Sequence, residues 1–371
     1  MKIGLFGMPM HPGHRPQSET YDEVAERIIL ADQLGYEEVF IGEHISCTNE
    51  PIASPLIFLA SLIHRTKNIR LGTGVVALPN HHPALVAGEV AQFDHMSKGR
   101  FNFGIGPGGL ASDMELFDVL DNEMRGKKMY EAIDIILDIW KSNPPYKYKT
   151  ENYDFGLKDM VIPELNVGTM LKPFQKPNPP IFSTAMSPYS GSIKVAVERG
   201  WSPMSANFCG EAVVASHWQK YLEGCESVGK EPTGDEWRVA RNIVIRETDA
   251  EAEEAALNPD GGNFFYLDYL WKVLVAANYT AVMKTDPNMA DADVKVSDLV
   301  KDIVIYGSPD TVAQKIQAMR EKSGNFGTLL LSVMDGEGAN EAGERQTMTL
   351  LANEVLPKIN SMEKASSLAK V

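Results

Sequence analysis

Phe101-Asn102-Phe103-Gly104-Ile105-Gly106-Pro107-Gly108-Gly109 is the stretch on which the fold turns. An apolar strand runs into glycines that satisfy G-x-G-x-x-G, the spacing at which a dinucleotide-binding turn brings a pyrophosphate onto backbone N–H groups. In that fold the third glycine lies inside a helix that follows at once, and an acidic residue ends the next strand about 20 residues on. Here Pro107 interrupts the run, Ala111-Ser112-Asp113 follows it, and Asp121 falls beside a helix rather than at a strand end. The glycines therefore read as a plain flexible loop, or as a barrel-mouth loop whose small residues let a flat cofactor approach the backbone.

Outward from this point, short apolar β-branched runs alternate with segments of helical period. Strands are expected at Ile3–Phe6, Val39–Ile41, Ile69–Ala77, Phe101–Ile105, Ile181–Thr184, Trp201–Met204, Trp237–Ile245 and Thr328–Val333. Helices are expected between them, including Tyr21–Leu34 ending at Gly35, Ser54–His64, Ala84–Asp94, Met124–Lys141, Ser187–Arg199 and Glu211–Val228. Two stretches break the rhythm of about 30 to 35 residues per module: a proline-rich excursion at about 143–179 and an acidic, mostly helical insertion at 249–303 with the look of a lid. Eight strands favour a single α/β domain over 1–371, a (β/α)8 TIM barrel with two insertions, over an open doubly wound sheet.

Composition is that of a globular chain, with 371 residues, 44% hydrophobic and 23% charged. Fifty acidic residues against 35 basic give a net charge of -15, a field that repels nucleic acid and anionic lipid surfaces alike. Cys47, Cys209 and Cys225 are odd in number and widely spaced, which argues for reduced thiols in a cytoplasmic protein. No apolar run approaches the roughly 18 residues of a membrane span, and Pro9 cuts short the apolar N-terminus before it could serve as a signal peptide.

In a barrel the chemistry sits just after each strand. The residues there are Met8 to His11, Gly42-Glu43-His44, Thr73 to Val76, Gly106 to Gly109, Ala185-Met186-Ser187 and Ser205 to Asn207. His44 has the strongest claim, because an imidazole exchanges protons near neutrality; the competing account is a histidine satisfied by its neighbour Glu43. His81-His82 lack a third ligand at useful spacing, so no metal is expected, and His82 before Pro83 reads as packing at a loop-to-helix turn. His64, His95 and His217 read as structural. A phosphate would be held by amides and hydroxyls where a helix begins, and Met186-Ser187-Pro188-Tyr189-Ser190 offers both, although a serine cap that binds nothing fits too.

These phrases in this order resemble the luciferase-like flavin-dependent monooxygenases. The match lies in Gly35 to His44, Leu71-Gly72-Thr73-Gly74-Val75-Val76, Leu78-Pro79, His82-Pro83, Phe93-Asp94-His95-Met96-Ser97-Lys98-Gly99-Arg100 running into Gly106, and Gly307 to Val312. The nearest subgroup is the one of limonene-type monooxygenases and bacterial luciferase. The resemblance implies a flavin C4a-(hydro)peroxide beside His44, which acts as its hydrogen-bond partner or base. It places the isoalloxazine over Thr73, Gly74 and Val75, with a non-prolyl cis peptide at Gly74-Val75. It assigns the FMN phosphate to Met186, Ser187 and Ser190, and makes Asp94 and Arg100 an ion pair or cap. Pro107 departs from the family, since luciferase has a phosphate-contacting arginine there; Gly106, Gly108 and Gly109 are expected to serve instead through their backbone.

The activity so implied is that of a two-component monooxygenase. FMN reduced by a separate reductase enters, reacts with O2, and one oxygen atom passes to a small apolar substrate. Met8 and His11 after the first strand and Asn207 after the sixth are the expected substrate pocket. A deazaflavin (F420)-dependent oxidoreductase on the same fold, moving hydride without oxygen, is the alternative, followed by a non-catalytic flavin-binding protein. A homodimer is usual for the family. The 249–303 lid is expected to be more mobile than the barrel.

Overall fold

The computed structural model describes residues 1–10, 15–284, 286, 288–333 and 338–368, of which 338–340 and 365–368 are described as backbone only. His11 lies outside the described residues. In chain order the first half runs β1 (Lys2–Gly7), α1 (Gln17–Leu34), β2 (Glu38–Ile41), α2 (Pro55–Ala60), β3 (Arg70–Thr73), β4 (Val76–Ala77), α3 (Pro83–Met96), β5 (Phe101–Gly106), α4 (Ala111–Leu116) and α5 (Asn122–Lys141). After it come β6 (Tyr146–Lys149), β7 (Asp154–Leu157), β8 (Ile181–Ala185), α6 (Gly191–Glu198), β9 (Ser202–Ser205), α7 (Glu211–Val228), β10 (Arg238–Arg241) and β11 (Ile243–Ile245). The remainder is α8 (Asp249–Leu257), α9 (Gly262–Ala276), α10 (Val296–Ile303), β12 (Ile305–Gly307), α11 (Pro309–Ser323), β13 (Thr328–Val333), α12 (Gly338–Leu350) and α13 (Leu356–Leu368).

Among the described residues eight parallel strands close on themselves in the order β1-β2-β3-β5-β8-β9-β10-β13, with β13 returning to β1 over six residue pairs. This is the (β/α)8 barrel expected from the strand count. Its strands are nearly continuous apolar runs because helices cover the outside while side chains fill the bore. Phe40, Phe182, Met204, Ala240 and Leu330 fill it, with the Phe40 and Phe182 rings 4.8 Å apart. At the N-terminal face a polar layer seals the barrel: Arg238 Nε donates to Glu38 Oε1 at 2.8 Å, and Asn102 Nδ2 donates to Glu38 Oε2 at 2.9 Å.

Two expected strands are each broken in two. The third stops at Thr73 and resumes at Val76, and the Gly74–Val75 peptide between is cis. The seventh breaks at Asn242. Beyond the break β11 leaves the barrel and pairs in parallel with β12, a strand the sequence pattern did not signal because only Ile305-Tyr306-Gly307 form it. The proline-rich excursion holds an antiparallel hairpin, β6 with β7. Helix α6 begins at Gly191, so Ser187 to Ser190 form a turn ahead of the helix instead of its first turn. Asp94 and Arg100 are not paired with each other: Asp94 accepts from Gln175 at 2.7 and 2.8 Å, while Arg100 donates to the Ile63 and Ile69 carbonyls.

The insertion at 249–303 has a core of its own. Tyr266, Leu267, Trp271 and Leu274 of α9 pack with Leu299, Val300 and Ile303 of α10, and with Met10 and Val244 of the barrel. Three helices rather than a structureless loop thus stand over the C-terminal ends of the strands. Among the described residues no helix is long and apolar enough to cross a membrane.

Candidate active site at the barrel mouth

Three loops converge on His44. The β2 end carries His44 itself, with Met8 of the β1 end packed on the α-carbon of Gly42, where a Cβ would lie 1.7 Å from the Met8 sulfur. Glu50 comes from the loop after β2, and Asp113 from α4, beyond the glycine run. His44 Nδ1 is 3.5 Å from Asp113 Oδ2, and Nε2 is 3.5 Å from Glu50 Oε2. Glu43, the partner considered from sequence, turns away: its Oε1 takes His81 Nε2 at 2.9 Å and the Ala77 N–H at 3.4 Å. His82 accepts the Ala84 N–H as cap of α3 and lays its ring 4.4 Å from that of Phe155.

The charges follow from these contacts. Burial works against the imidazolium of His44, but the hydrogen bond to Asp113 and the charges of Glu50, Asp113 and Glu43 outweigh it and raise its pKa. Burial alone would raise the Asp113 carboxyl as well; bonds from His44, Ser46 and the Ile45 and Ser46 amides instead hold it down at about 2. Glu50 is raised by burial, against the pull of His44 and of the Tyr269 hydroxyl. One carboxylate is thus held firmly ionised and the other is shifted upward by its burial, with an imidazole between them that can take up or release a proton.

Beside this group, Thr73 and Gly104 lock β3 to β5. The Thr73 hydroxyl donates to the Gly104 carbonyl at 2.8 Å and accepts the Gly104 N–H at 2.9 Å. Thr73 is fully buried and its hydroxyl is used, so it is a support beneath the cis bond rather than a contact for a ligand. Gly104 is obligatory, because a Cβ there would sit 1.8 Å from the Thr73 carbonyl oxygen. Gly74 tolerates no side chain either, since its Cβ would meet Phe40 at 2.8 Å. Val75, just past the cis bond, is partly exposed at the mouth.

On the far side the glycine run faces the β8 end. Gly108 has φ +88° and would bring a Cβ to 3.6 Å from Ala77, and a Cβ on Gly109 would be 3.8 Å from Met186 Cε. Gly109 thus lies beside Met186, which makes the glycine run and the turn after β8 neighbours at the barrel mouth. The turn is anchored from beneath. Trp237 Nε1 donates to Ser205 Oγ at 3.0 Å, Ser205 Oγ lies 2.9 Å from His217 Nδ1, and His217 Nε2 lies 2.9 Å from the Ser187 carbonyl. The Ser187 carbonyl requires a proton on His217 Nε2, and burial lowers the pKa of the ring to about 4, which leaves Nδ1 bare to accept from the Ser205 hydroxyl. Ser190 Oγ pairs with Ser192 Oγ at 2.9 Å. The hydroxyls of Ser187 and Ser190 and the backbone amides of the turn are groups of the kind that bond a phosphate.

Asn207 departs from its expected role. It is fully buried, with Nδ2 donating to Asn242 Oδ1 at 2.8 Å and to the Tyr266 hydroxyl at 3.1 Å, so it braces the insertion instead of lining an open pocket. Glu50, Asp113, Tyr269 and the bracing role of His217 were missed from sequence. Asp113 had a visible signal, an acid directly after the glycine loop of strand four; Tyr269 had none, because it comes from an insertion with no module spacing.

The profile described as luciferase-like monooxygenase matches residues 1–325. Limonene 1,2-monooxygenase of Rhodococcus erythropolis is 30% identical over 96% of this chain and 86% of its own length. Among solved structures, the oxygenating constituent of 3,6-diketocamphane monooxygenase from Pseudomonas putida, a type II Baeyer-Villiger monooxygenase in complex with FMN, superposes with a TM-score of 0.84 at 27% identity, covering 97% of this chain and 98% of that one. An F420-dependent secondary alcohol dehydrogenase covers 96% of this chain and 98% of its own with a TM-score of 0.69 at 18% identity, a likeness of fold alone.

Proposed function

The chain belongs to the luciferase-like monooxygenase family, and from that membership we propose that it is the oxygenating component of a two-component flavin system, with reduced FMN delivered by a separate reductase. The observation that carries this reading is His44 held between Asp113 and Glu50 at the mouth of the barrel, just after β2, whose neighbour β3 ends at the cis Gly74–Val75 bond. The amides of Gly108, Gly109 and Met186, with the Ser187 and Ser190 hydroxyls, would hold the phosphate; the strand end at Gly74 and Val75 would carry the ring.

Reduced FMN, when bound, supplies the activation of O2, of which one atom goes to the substrate and the other leaves as water. The protein's share is placement and proton control. His44 holds a proton at Nε2 and gives or takes it at the mouth, Asp113 fixes the ring and its charge through Nδ1, and α9 roofs the strand ends against water. The substrate in this reading is a small apolar organic molecule entering past Met8 and Val75. The 249–303 insertion acts as its lid. The free cysteines Cys47, Cys209 and Cys225 suit a cytoplasmic setting. A second copy of the chain would cover Ile57 on α2 and Leu85 on the adjoining α3, which are 77% and 57% exposed.

His44→Ala tests the reading. FMN affinity should stay near that of the parent, while substrate oxygenation with photoreduced FMN falls about 10²-fold or more, the usual worth of a placed acid or base. Unchanged turnover would remove His44 from the chemistry.

A further inference from the structure

Helix α9 is moored to the barrel mouth by three polar side chains set three residues apart. Asn263 Oδ1 accepts Asn242 Nδ2 at 3.1 Å, behind β10, and Tyr266 is bonded to Asn207, behind β9. The third, Tyr269, donates its hydroxyl to Glu50 Oε2 at 3.0 Å, with Cys47 Sγ 3.1 Å from the same hydroxyl. The first two moorings end on amides, which do not titrate. Tyr269 ends on a carboxylate, and the oxygen it reaches is the one that lies 3.5 Å from His44 Nε2.

We propose that Glu50 and Tyr269 are positioning residues that couple the seating of α9 over the mouth to the proton held by His44. This rests on His44 being the proton-handling group of the site. The coupling is electrostatic and runs both ways. With α9 seated, the Tyr269 hydroxyl stabilises the Glu50 carboxylate, and that charge in turn stabilises the imidazolium. With α9 lifted, the carboxylate loses its donor and water screens its charge, so it holds the imidazolium less firmly and His44 releases its proton to solvent. Conversely, a neutral His44 leaves Glu50 buried without a counter-charge; once protonated, Glu50 offers Tyr269 only a neutral hydrogen bond, weaker than the charge-assisted one. The charged groups facing His44 are Asp113 from α4, Glu50 from the loop after β2, and the adjacent Glu43, with Tyr269 and Cys47 one bond further out. Only the Glu50 branch leads to the insertion. A closed mouth thus retains the proton and an open mouth lets it go, which suits a reaction that must keep water out until product leaves.

The experiment uses the full flavin-free chain with 13C-labelled histidine. The His44 ring titration is followed by NMR, assigned by its loss in H44Q, and the exchange of the amides of residues 262–276 is measured across the same pH range after correction for intrinsic rates. Glu50→Gln should lower the His44 midpoint by about one unit or more, the effect of losing a facing charge. Tyr269→Phe, which keeps the packed ring, should lower it by less and in the same direction, while Lys272→Ala on the outer face of α9 leaves it in place. Exchange in α9 should quicken as pH rises through the His44 midpoint in the parent and lose that dependence in E50Q. A Y269F midpoint equal to the parent's overturns the coupling even where E50Q shifts, as does parental α9 exchange that ignores pH. Neither readout involves flavin or turnover, so a failure of the monooxygenase reading, seen as an active H44A, is told apart from a failure of this one.

Discussion

His44 Nδ1 and Asp113 Oδ2 stand 3.5 Å apart although one follows β2 and the other lies beyond β5, so the pair exists only because β3 alone separates these two strands in the closed barrel. Asp113 is the better anchored partner. It accepts the Ile45 and Ser46 amides at 3.1 and 2.8 Å, which tie it to the residues just after His44 and keep it ionised.

Asp113→Asn should lower the pKa of His44, and whichever limb of the pH–rate profile His44 governs should move to lower pH. The stability effects have opposite signs at the two partners. The raised imidazole contributes stability below its unfolded value of about 6.5, lost as pH rises through the folded value. The lowered carboxyl contributes above its unfolded value of about 3.9, lost as pH falls through about 2. Denaturant titrations between pH 4 and 2 should therefore be flatter in the variant than in the parent; equal slopes would mean that the Asp113 carboxyl is not held down in the folded protein.

Ser187→Ala combined with Ser190→Ala should weaken FMN binding, since each hydroxyl bonded to a charged phosphate is worth roughly 1.5–3 kcal/mol. Fluorescence quenching of FMN on titration with protein measures it. An unaltered affinity would put the phosphate elsewhere than at the β8 end.

His217→Gln addresses the anchor beneath that turn. The buried imidazole refuses a proton down to about pH 4, whereas the unfolded one accepts it near 6.5, so the parent loses stability from this group as pH falls from about 6.5 to about 4. That is the reverse of the His44 contribution. Urea unfolding at pH 7, 5.5 and 4 should show a smaller loss in the variant, and identical pH dependence would mean that His217 is not held neutral.

Gly104→Ala places a Cβ against the Thr73 carbonyl, an approach of 1.8 Å that no rotamer can relieve because both partners are backbone. β3 and β5 must part, at a cost at or above the upper end of the roughly 1–3 kcal/mol typical of overpacking. A thermal melt should show a clear drop in Tm, larger than for Gly126→Ala on α5, where a Cβ would meet nothing within 4 Å.

The barrel was legible because its strands must be apolar on both faces and its helices on one, and both periods are written in the chain. The spacing of Ile3, Val39, Leu71, Phe103, Phe182, Met204, Val239 and Leu330 along the sequence already marks eight strands. The same logic placed His44 and the glycine run at the mouth, because side chains just past a parallel strand have nowhere else to go. Family resemblance added the cis bond at Gly74–Val75, which no propensity signals.

What the tertiary structure alone decided is partnership. Glu43 stands beside His44 in sequence, yet it turns to His81, while Asp113 and Glu50 take the imidazole. Asn207, well placed to line a pocket, is spent on Asn242 and Tyr266. Ser187 looked like the start of a helix, and its turn is instead pinned by His217 from α7. Each of these contacts joins loops brought together only when the barrel closes and the insertion settles on it. A sequence records which residues can donate, accept or carry charge; which of them meet is set by side-chain directions and loop paths that no one-dimensional period encodes.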